Sequence, residues 1–542
     1  MVLAVIPARG GSKGIPRKNV RLMHGKPLIY YSIQNALSCS YIDDVVVSSD
    51  DEEILSIAAM YNVKAMNRDS ALAQDAVTLD PVIYDAMIRM EQETGKHYDV
   101  VITLQATSPL LSAGTLDSAV KSFLESDFDT YISAVNKPHL SWTMKDGKCV
   151  PNYEKRLNRQ QLPPNFLEAG AFLITKRECM SENNRIGQKV SVFDMPEKEA
   201  IDIDSYADWM VCEQELSKKR IIFRADGYRE LGMGHIYRCL TLAYSLTGHE
   251  ILFVTREDRQ EGYEKLLASH MQVKTIECDE DFYQIISEWK PDVVVNDCLN
   301  TERKYVKELK KRVKRVVTLE DIGSGADVAD ATINALYEDD SKGENYYWGE
   351  KYVCLKDEFL IAAPAQYHEK VKKIVVMFGG SDPSDFTFRV YNLAKRIHGD
   401  YPNMEFQFVL GAGYDNTIHN LSDDKEHNIT VVKDIKRVSD TLANADLALT
   451  SQGRTVYELA AMGVPAIVMA QNERETKHTF AQMNNGFLNL GMGVRVSDET
   501  LEKTFRFVVE TPQIRSEMRD LMLKHDLRKG IDRVKQLILQ DE

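Results

Sequence analysis

The fold of the first part of the chain is decided by its opening stretch, residues 2–19, which reads VLAVIPARGGSKGIPRKN. The apolar run Val2–Ile6 is typical of a buried strand. The loop after it combines three glycines, which let backbone N–H groups approach a phosphate, with four cations: Arg9, Lys13, Arg17 and Lys18. Its spacing matches neither the Walker A pattern nor GxGxxG. A solvated basic turn is the alternative, but this density of cations after a first strand favours a phosphate-binding loop.

The same alternation of apolar runs and helical patterns continues outward from this stretch. Ile29, Ile33 and Ala36 fall on one helical face, and buried strands that alternate with helices predict an α/β fold with a mostly parallel sheet. The pattern restarts at Ile221–Arg224, after the charged Ser217–Lys219, which predicts a domain boundary at about 216–220. Further strands are predicted at Val45–Ser48, Val100–Leu104, Tyr131–Val135, Ile251–Val254, Val293–Val295, Val316–Leu319, Ile374–Phe378, Phe406–Leu410, Leu447–Thr450 and Ala466–Met469, with a helical tail at 511–540.

Composition and charge exclude several classes of protein. The 542 residues include 67 Lys and Arg against 82 Asp and Glu, a formal net charge of −15, which argues against a general binder of nucleic acid or anionic membrane. No stretch approaches the roughly 18 apolar residues of a membrane span, and the N-terminus lacks the features of a signal peptide. The eight cysteines form no CxxC pair. These observations predict a cytoplasmic protein with reduced thiols.

A pair of carboxylates near the end of the first domain is a candidate metal site. Residues 201–204 read IDID, and in an extended segment Asp202 and Asp204 point to the same face. Mg²⁺ prefers one or two carboxylates plus substrate phosphates. The spacing alone leaves a magnesium site and an ordinary exposed acidic strand equally open.

Several motifs in residues 1–216 occur together in one known family. Besides the opening loop and IDIDSYAD at 201–208, they are GKPLI at 25–29, SSDD at 48–51, LQATSPL at 104–110 and RQQLP at 159–163. In this order and spacing they resemble the CMP-sialic acid synthetases, cytidylyltransferases that activate nonulosonic acids such as sialic, legionaminic and pseudaminic acid. Ala106 and Leu111 depart from the family, which often has proline and arginine there, and Leu111 bears on which sugar is bound.

This resemblance implies a Rossmann-like nucleotide-diphosphosugar-transferase sheet and transfer of CMP from CTP to the sugar acid, with release of pyrophosphate. It implies that Asp202 and Asp204 hold Mg²⁺, and that the insertion 137–166 is an arm through which a homodimer forms. Arg9 and Lys13 would also have a catalytic role. The residues implied to hold the triphosphate, the nucleotide and the sugar acid are Arg9, Gly11, Ser12, Lys13, Lys18, Gln105, Ser108, Arg159, Gln160 and Gln161.

The C-terminal half contains a histidine after a glycine turn. Residues 225–239, which follow the strand at Ile221–Arg224, read ADGYRELGMGHIYRC. Gly232 and Gly234 allow a tight turn into a helix whose N-terminus favours an anion, and His235 would face a cleft there. A hydrogen-bonding spectator is its alternative role. Two more strand-end turns, FGGSD at 378–382 and TSQGRTVYE at 450–458, are candidates for pyrophosphate binding or plain βα turns.

Residues 220 to about 500 resemble a two-lobed, GT-B-like pair of Rossmann-like domains that binds UDP-sugars, with lobes at 220–365 and 370–542. The GMGHIYRC and SQGRTVYELAAMGVP segments resemble the UDP-2,4-diacetamido-2,4,6-trideoxy-altropyranose hydrolases of pseudaminic acid biosynthesis. This implies that His235 assists attack of water on the anomeric carbon, with Asp226 as the acidic partner in the motif. The implied nucleotide-binding residues are Gly234, Gly380, Ser451, Thr455 and Glu458. Together, the two resemblances imply a bifunctional enzyme.

Two other interpretations of the C-terminal half stay open. It could be a glycosyltransferase that moves the sugar to an acceptor instead of water. Alternatively, it could be a non-catalytic domain that senses a UDP-sugar and regulates the cytidylyltransferase, an interpretation that only His235 argues against. The sequence also leaves open which nonulosonic acid is activated.

Overall fold

The computed structural model describes residues 1–12, 14–74, 76–228, 233–339, 342–411, 413–433, 435 and 437–540. The chain divides into two compact units, Met1–Lys218 and Lys219–Glu542. The buried apolar residues form several clusters, each drawn from one unit. Over the described ranges, no helix is both long and apolar enough to cross a membrane.

The first unit, Met1–Lys218, is built on one α/β sheet. Its strands are β1 (Val2–Pro7), β2 (Leu22–Met23), β3 (Lys26–Pro27), β4 (Asp44–Ser49), β5 (Lys64–Asn67), β6 (Val100–Leu104), β7 (Thr130–Asn136), β8 (Trp142–Lys145), β9 (Lys148–Pro151), β10 (Phe166–Lys176) and β11 (Val190–Asp194). Its helices are α1 (Leu28–Ser38), α2 (Glu52–Met60), α3 (Leu79–Thr94), α4 (Ala113–Leu124) and α5 (Tyr206–Leu216).

The sheet order in this unit is β11-β7-β10-β6-β1-β4-β5. The strands pair in parallel except for β10, which runs antiparallel to β6 and β7. Ile29, Ile33 and Ala36 of α1 are buried, because the helical spacing places them on the face toward the sheet. The predicted mostly parallel sheet is confirmed.

The second unit, Lys219–Glu542, contains two further sheets. Its strands are β12 (Arg220–Ala225), β13 (Glu250–Arg256), β14 (Val273–Ile276), β15 (Val293–Asp297), β16 (Arg315–Leu319), β17 (Ala331–Asn334), β18 (Tyr346–Trp348), β19 (Lys373–Met377), β20 (Glu405–Leu410), β21 (Ile429–Lys433), β22 (Leu447–Ser451), β23 (Ala466–Ala470) and β24 (Phe487–Met492). Its helices are α6 (Gly234–Ser245), α7 (Gln260–Ala268), α8 (Asp279–Trp289), α9 (Arg303–Lys310), α10 (Asp357–Ile361), α11 (Phe386–Ile397), α12 (Val438–Leu442), α13 (Thr455–Met462), α14 (Asp498–Glu510), α15 (Pro512–Leu523) and α16 (Gly530–Leu539).

Both sheets of the second unit pair in parallel. The sheet of the first lobe has the order β14-β13-β12-β15-β16-β17-β18, and that of the second lobe β21-β20-β19-β22-β23-β24. Each predicted strand lies within an observed one or within one residue of it. The predicted two-lobed, GT-B-like pair of Rossmann-like sheets is therefore confirmed.

The last helix returns to the first lobe. Ile531, Val534 and Ile538 of α16 share a core cluster with Ile221 of β12, and Arg315 Nε donates to the carbonyl of Leu537 at 3.0 Å. The span 370–542 predicted for the second lobe thus differs from the structure at its end. An amphipathic helix fits either sheet, and its sequence does not specify which lobe it covers.

Candidate functional site

The basic loop after β1 packs against the end of β4. Gly10 N donates to Asp50 Oδ1 at 3.1 Å, and a Cβ on Gly10 would lie 2.5 Å from Asp51 Oδ2, so a side chain would disrupt this approach. No described atom lies within 4 Å of a Cβ built on Gly11, which leaves the backbone accessible to a ligand. Lys13 lies outside the described residues. Two further predicted ligands on this loop are half-buried: Arg9 and Ser12.

The structure brings the basic loop next to the acidic pair. Lys18 Nζ donates to the carbonyl of Ile203 at 2.6 Å and lies 3.9 Å from Asp204 Oδ1. A Cβ on Gly14 would lie 2.8 Å from the carbonyl oxygen of Asp204. The glycine at position 14 therefore allows the loop and the acidic segment to meet.

Asp202 and Asp204 differ in their surroundings. Burial raises the pKa of Asp202, and the negative charge of Asp204 raises it further. The Asp202 Oδ1 atom is buried and has no hydrogen-bond partner among the described residues, whereas the side chain of Asp204 is exposed. A buried carboxylate oxygen without a partner fits a cation ligand. The described residues contain no group of three or more His, Cys, Asp and Glu that could hold a metal ion, so phosphate and water oxygens would complete the shell.

A bulge in β10 leaves room beside this carboxylate. Gly170 has φ +69°, and a Cβ there would lie 3.3 Å from Asp202 Oδ2 and 3.7 Å from Gln105 Nε2. The register of β10 against β7 shifts at this point. Gln105 is held at the sheet because its N–H donates to Ala171 O at 3.1 Å. Ser108 Oγ is buried with no hydrogen-bond partner among the described residues.

The predicted sugar-acid ligands lie on a separate segment. Arg159, Gln160 and Gln161 form an exposed 3-10 turn that follows the β8–β9 hairpin. Over the residues that the structure describes, no hydrogen bond joins Arg159 or Gln161 to the basic loop. The contacts that join the loop, Gln105 and the acidic pair therefore do not include this turn.

In the second unit, His235 contacts a carboxylate that the sequence motif does not include. His235 is the second residue of α6, and its Nδ1 lies 2.6 Å from Asp297 Oδ1. Asp297 is the last residue of β15, which pairs in parallel with β12. Because α6 follows β12, its first turn lies beside the end of β15. An aspartate two residues after the apolar run Val293–Val295 was the available sequence signal.

Arg238, one helical turn after His235, binds the same carboxylate. Its Nε and Nη2 donate to the two Asp297 oxygens at 2.8 and 2.5 Å, and Cys239 Sγ donates to Oδ2 at 3.3 Å. Burial would raise the pKa of Asp297, but the charge of Arg238 and the contact with His235 outweigh it and hold the pKa well below its usual range. Asp297 is therefore an ionised, fully enclosed partner of His235.

Asp226, the predicted acidic partner of His235, is paired elsewhere. Its two oxygens accept from Arg224 Nη1 and Nη2 at 2.7 and 2.9 Å, and Oδ1 also accepts from Arg256 N at 2.9 Å. Burial would raise the pKa of Asp226, but Arg224 outweighs it and the pKa is lowered. Asp226 joins the ends of β12 and β13, while Asp297 fills the place expected of Asp226. Gly232 of the motif lies outside the described residues.

The two glycine turns of the second lobe lie close together. A Cβ on Gly379, which has φ +81°, would lie 3.8 Å from Ser451 Oγ, and one on Gly453 would lie 3.4 Å from it. No described atom lies within 4 Å of a Cβ built on Gly380. Within the first lobe, Gly234 at the start of α6 has Arg454 Cδ 3.9 Å from its Cβ position. The start of α6 and the turn after β19 thus both lie next to the turn that follows β22.

The two remaining predicted nucleotide ligands are on α13. Thr455 begins this helix and is half-buried. Glu458 lies 3.4 Å from Lys356 Nζ, and burial raises the pKa of Glu458 above its usual range although Lys356 opposes the shift. Glu458 is therefore already paired with a lysine of the segment that joins the lobes.

Comparison with known proteins identifies the first unit. The sequence profile described as Cytidylyltransferase matches residues 3–206. The chain is 36% identical over 214 residues to a pseudaminic acid cytidylyltransferase of Campylobacter jejuni. The aligned residues are 38% of this chain and 92% of that protein. A CMP-N,N'-diacetyllegionaminic acid synthase of the same species is 33% identical over 227 residues, 41% of this chain and 97% of the relative.

A third relative matches a longer part of the chain. It is an uncharacterized protein of Methanocaldococcus jannaschii, 30% identical over 275 residues, which are 47% of this chain and 56% of that protein. The chain thus spans just over half the length of this relative, but nearly all of the two Campylobacter enzymes. Because a relative more than 30% identical is covered almost completely, the chain belongs to the cytidylyltransferase family.

Proposed function

We propose that the first unit transfers CMP from CTP to a nonulosonic acid and releases pyrophosphate. The observation that carries this proposal is the approach of the basic loop to the acidic pair through Gly14 and Lys18. Phosphoryl-type transfer needs mainly positioning and neutralisation of charge, and cations beside carboxylates with an unpartnered oxygen supply both. The activities in the names of the two Campylobacter relatives support the substrate class.

In this reaction the anomeric hydroxyl of the sugar acid attacks the α-phosphate of CTP, and the bond to the β-phosphate breaks. Arg9, Ser12, Lys13 and Lys18 would hold the triphosphate. Asp202 and Asp204 would hold Mg²⁺, which when bound supplies positive charge at the reacting phosphates. Gln105 and Ser108 would bind the nucleotide and substrate, and Arg159, Gln160 and Gln161 the sugar acid.

The test is a substrate panel of pseudaminic, legionaminic and sialic acids with CTP and Mg²⁺, with CMP-sugar formation as the readout. We expect one acid to react best and EDTA to abolish the reaction. Asp204→Asn should lower turnover by orders of magnitude, since it removes half of the carboxylate charge that holds the cation. Full activity in EDTA, or in the variant with both aspartates changed to asparagine, would contradict the proposal.

We further propose that the second unit hydrolyses a UDP-2,4-diacetamido-trideoxyhexose to free sugar and UDP. The contact of His235 Nδ1 with Asp297 is the main observation that supports this hydrolysis. With the Nδ1 proton directed at this carboxylate, Nε2 is left to accept a proton from the attacking water. Asp297 then stabilises the imidazolium that forms.

Two alternative activities of the second unit predict different products. A glycosyltransferase would release UDP only when an acceptor is present, and a UDP-sugar sensor would release none. We expect UDP and free sugar in equal amounts without any acceptor, measured by chromatography of the reaction mixture. Release of UDP that depends on an acceptor would favour the glycosyltransferase.

A further inference from the structure

Successive contacts between charged side chains connect the second lobe to His235. Arg454, the residue directly before α13, donates through Nη1 to Glu320 Oε1 at 2.5 Å. Glu320 also contacts Arg238, and Arg238 binds Asp297, the partner of His235. Arg454 belongs to the second lobe, whereas Glu320, Arg238 and Asp297 belong to the first.

Arg454 belongs to the turn that follows β22 and lies close to the start of α6, which carries His235. Its Cδ is 3.9 Å from the position of a Cβ on Gly234, the residue before His235, and its side chain is 26% exposed. Within the part of the chain that the structure describes, Nε and Nη2 of Arg454 donate no hydrogen bond. A guanidinium has five N–H donors in a planar fork that matches a phosphate, so most of its donors are available to a ligand in the cleft.

A second polar group, Ser451, ends β22 at the start of the same turn. Ser451 is only 3% exposed, and its hydroxyl has no hydrogen-bond partner among the described residues. The hydroxyl oxygen lies beside the Gly379 and Gly453 turns, and Glu475 Oε1 is 3.5 Å from the Cβ position of Gly453. A serine hydroxyl can both donate and accept a hydrogen bond, so it could contact a ligand at this turn.

Glu320 holds Arg454 in this place. It directly follows β16, it is buried, and it has φ +51°, a conformation that costs energy for a residue with a side chain. Burial would raise the pKa of Glu320, but Arg238 and Arg454 outweigh it and the pKa is lowered. Glu320 is therefore a carboxylate shared by one arginine from each lobe.

We propose that Arg454, positioned by Glu320, binds the β-phosphate of a nucleoside diphosphate sugar, the phosphate that is bonded to the hexose. This rests on the proposed hydrolysis for its chemistry. Water adds to the anomeric carbon, His235 takes its proton, and the bond from that carbon to the β-phosphate oxygen breaks. The electron pair stays on the departing phosphate, which gains a negative charge, and Arg454 neutralises it. Free sugar, UDP and one proton result.

The test is calorimetric titration of the full chain with UDP and with UMP, which lacks the β-phosphate. We expect Arg454→Ala to weaken UDP binding roughly tenfold to a hundredfold, the usual effect of losing hydrogen bonds to a charged group. UMP binding should change little, and Arg454→Lys should be intermediate because it keeps the charge but not the fork. Arg495→Ala is the matched control, since Arg495 is an exposed arginine of the same lobe.

Three outcomes separate this inference from the hydrolase proposal. Equal UDP affinity in Arg454→Ala and Arg495→Ala, with both variants folded by thermal unfolding, overturns the role of Arg454. A UDP site that depends on Arg454 in a chain that releases no free sugar supports the inference and contradicts hydrolysis. Absence of any UDP binding by the unaltered chain overturns both.

Discussion

Asp297 is the residue that contacts His235, Arg238 and Cys239 in the candidate site of the second unit. It is fully enclosed, and it accepts from Arg238 and Cys239 while contacting His235. An imidazole held by an ionised carboxylate on one nitrogen has its other nitrogen fixed in direction. The orientation of His235 is therefore set by residues of two elements, the end of β15 and the first turns of α6.

The first prediction concerns His235. We expect His235→Ala to lower release of UDP from the diacetamido-trideoxy UDP-hexose by roughly a hundredfold or more, as for loss of a general base. UDP binding should be nearly unchanged, because Ser451, Thr455 and Glu458, the candidate nucleotide ligands to which it is assigned, are unaltered. Steady-state kinetics and UDP titration of the same variant measure both. Turnover that survives the substitution would make His235 a structural residue.

The second prediction concerns the stability that Asp297 provides. Its folded pKa lies below the ordinary value, so the folded unit binds fewer protons at this group, and the stabilisation is present above an unfolded pKa of about 4 and declines as pH falls further. Asp297→Asn removes one of the two carboxylates that pair with the buried Arg238 and leaves only Glu320, so it should cost about 3–5 kcal/mol of unfolding free energy at pH 7.

Urea unfolding of the full chain at pH 7 and at pH 3.5 checks this prediction. The difference between Asp297→Asn and the unaltered chain should shrink at the lower pH. Asp440→Asn, at an exposed ion pair of the same unit, should have little effect at either pH. Equal losses in the two variants would show that the buried network does not stabilise the fold.

At the scale of elements, the bulge in β10 shapes the candidate metal site. Gly170 and Gly95 both have φ +69°, but only a Cβ on Gly170 would approach Asp202, whereas none of the described atoms lies within 4 Å of one on Gly95. Gly95 ends α3 as its C-cap. The backbone conformation therefore disfavours an alanine equally at the two positions, and the positions differ in the atoms that surround the added Cβ.

The third prediction uses this pair. Gly170→Ala and Gly95→Ala should each lose about 1 kcal/mol of stability, because alanine is disfavoured at positive φ. Only Gly170→Ala should lower CMP transfer, by roughly tenfold to a hundredfold, since it displaces the Asp202 carboxylate. Thermal unfolding and CMP-sugar formation measure the two effects. Similar activity in both variants would place the bulge outside the site.

Local sequence patterns predicted the elements better than the contacts between them. Apolar runs mark the strands because parallel strands are buried on both faces. The contact of Asp297 with His235 depends instead on β15 lying next to β12, and strand order is not a local property. Asp226 was expected as the acidic partner because it belongs to the same motif as His235, and the sequence left open whether it orients the imidazole or binds the sugar. The end of α16 on the first lobe was missed because its apolar stripe fits either sheet.

At the scale of the whole molecule, the two units have separate cores. Each cluster of buried apolar residues is drawn from Met1–Lys218 or from Lys219–Glu542. Large apolar side chains on the 137–166 arm and next to it, such as Trp142, Met144 and Leu167, are exposed. Exposed groups of this kind often mark an interface, which supports the proposed homodimer.

The fourth prediction is that residues 1–218 expressed alone fold, dimerise and keep the CTP-dependent activity. Size-exclusion chromatography with light scattering and a CMP-transfer assay measure this. Trp142→Ser with Met144→Ser should shift the dimer toward monomer without unfolding it, because both side chains are exposed. A fragment that is inactive while the full chain is active would show that the first enzyme requires the second unit.

We propose that one chain carries two separate enzymes, whose products can be measured together in one assay. The full chain receives CTP, Mg²⁺, the nonulosonic acid and the UDP-sugar together, and CMP-sugar and UDP are quantified in one chromatogram. We expect Asp202→Asn with Asp204→Asn to abolish only formation of the CMP-sugar, and His235→Ala to lower only the release of UDP, by roughly a hundredfold or more. Loss of both products in either variant, or formation of only one by the unaltered chain, would contradict it.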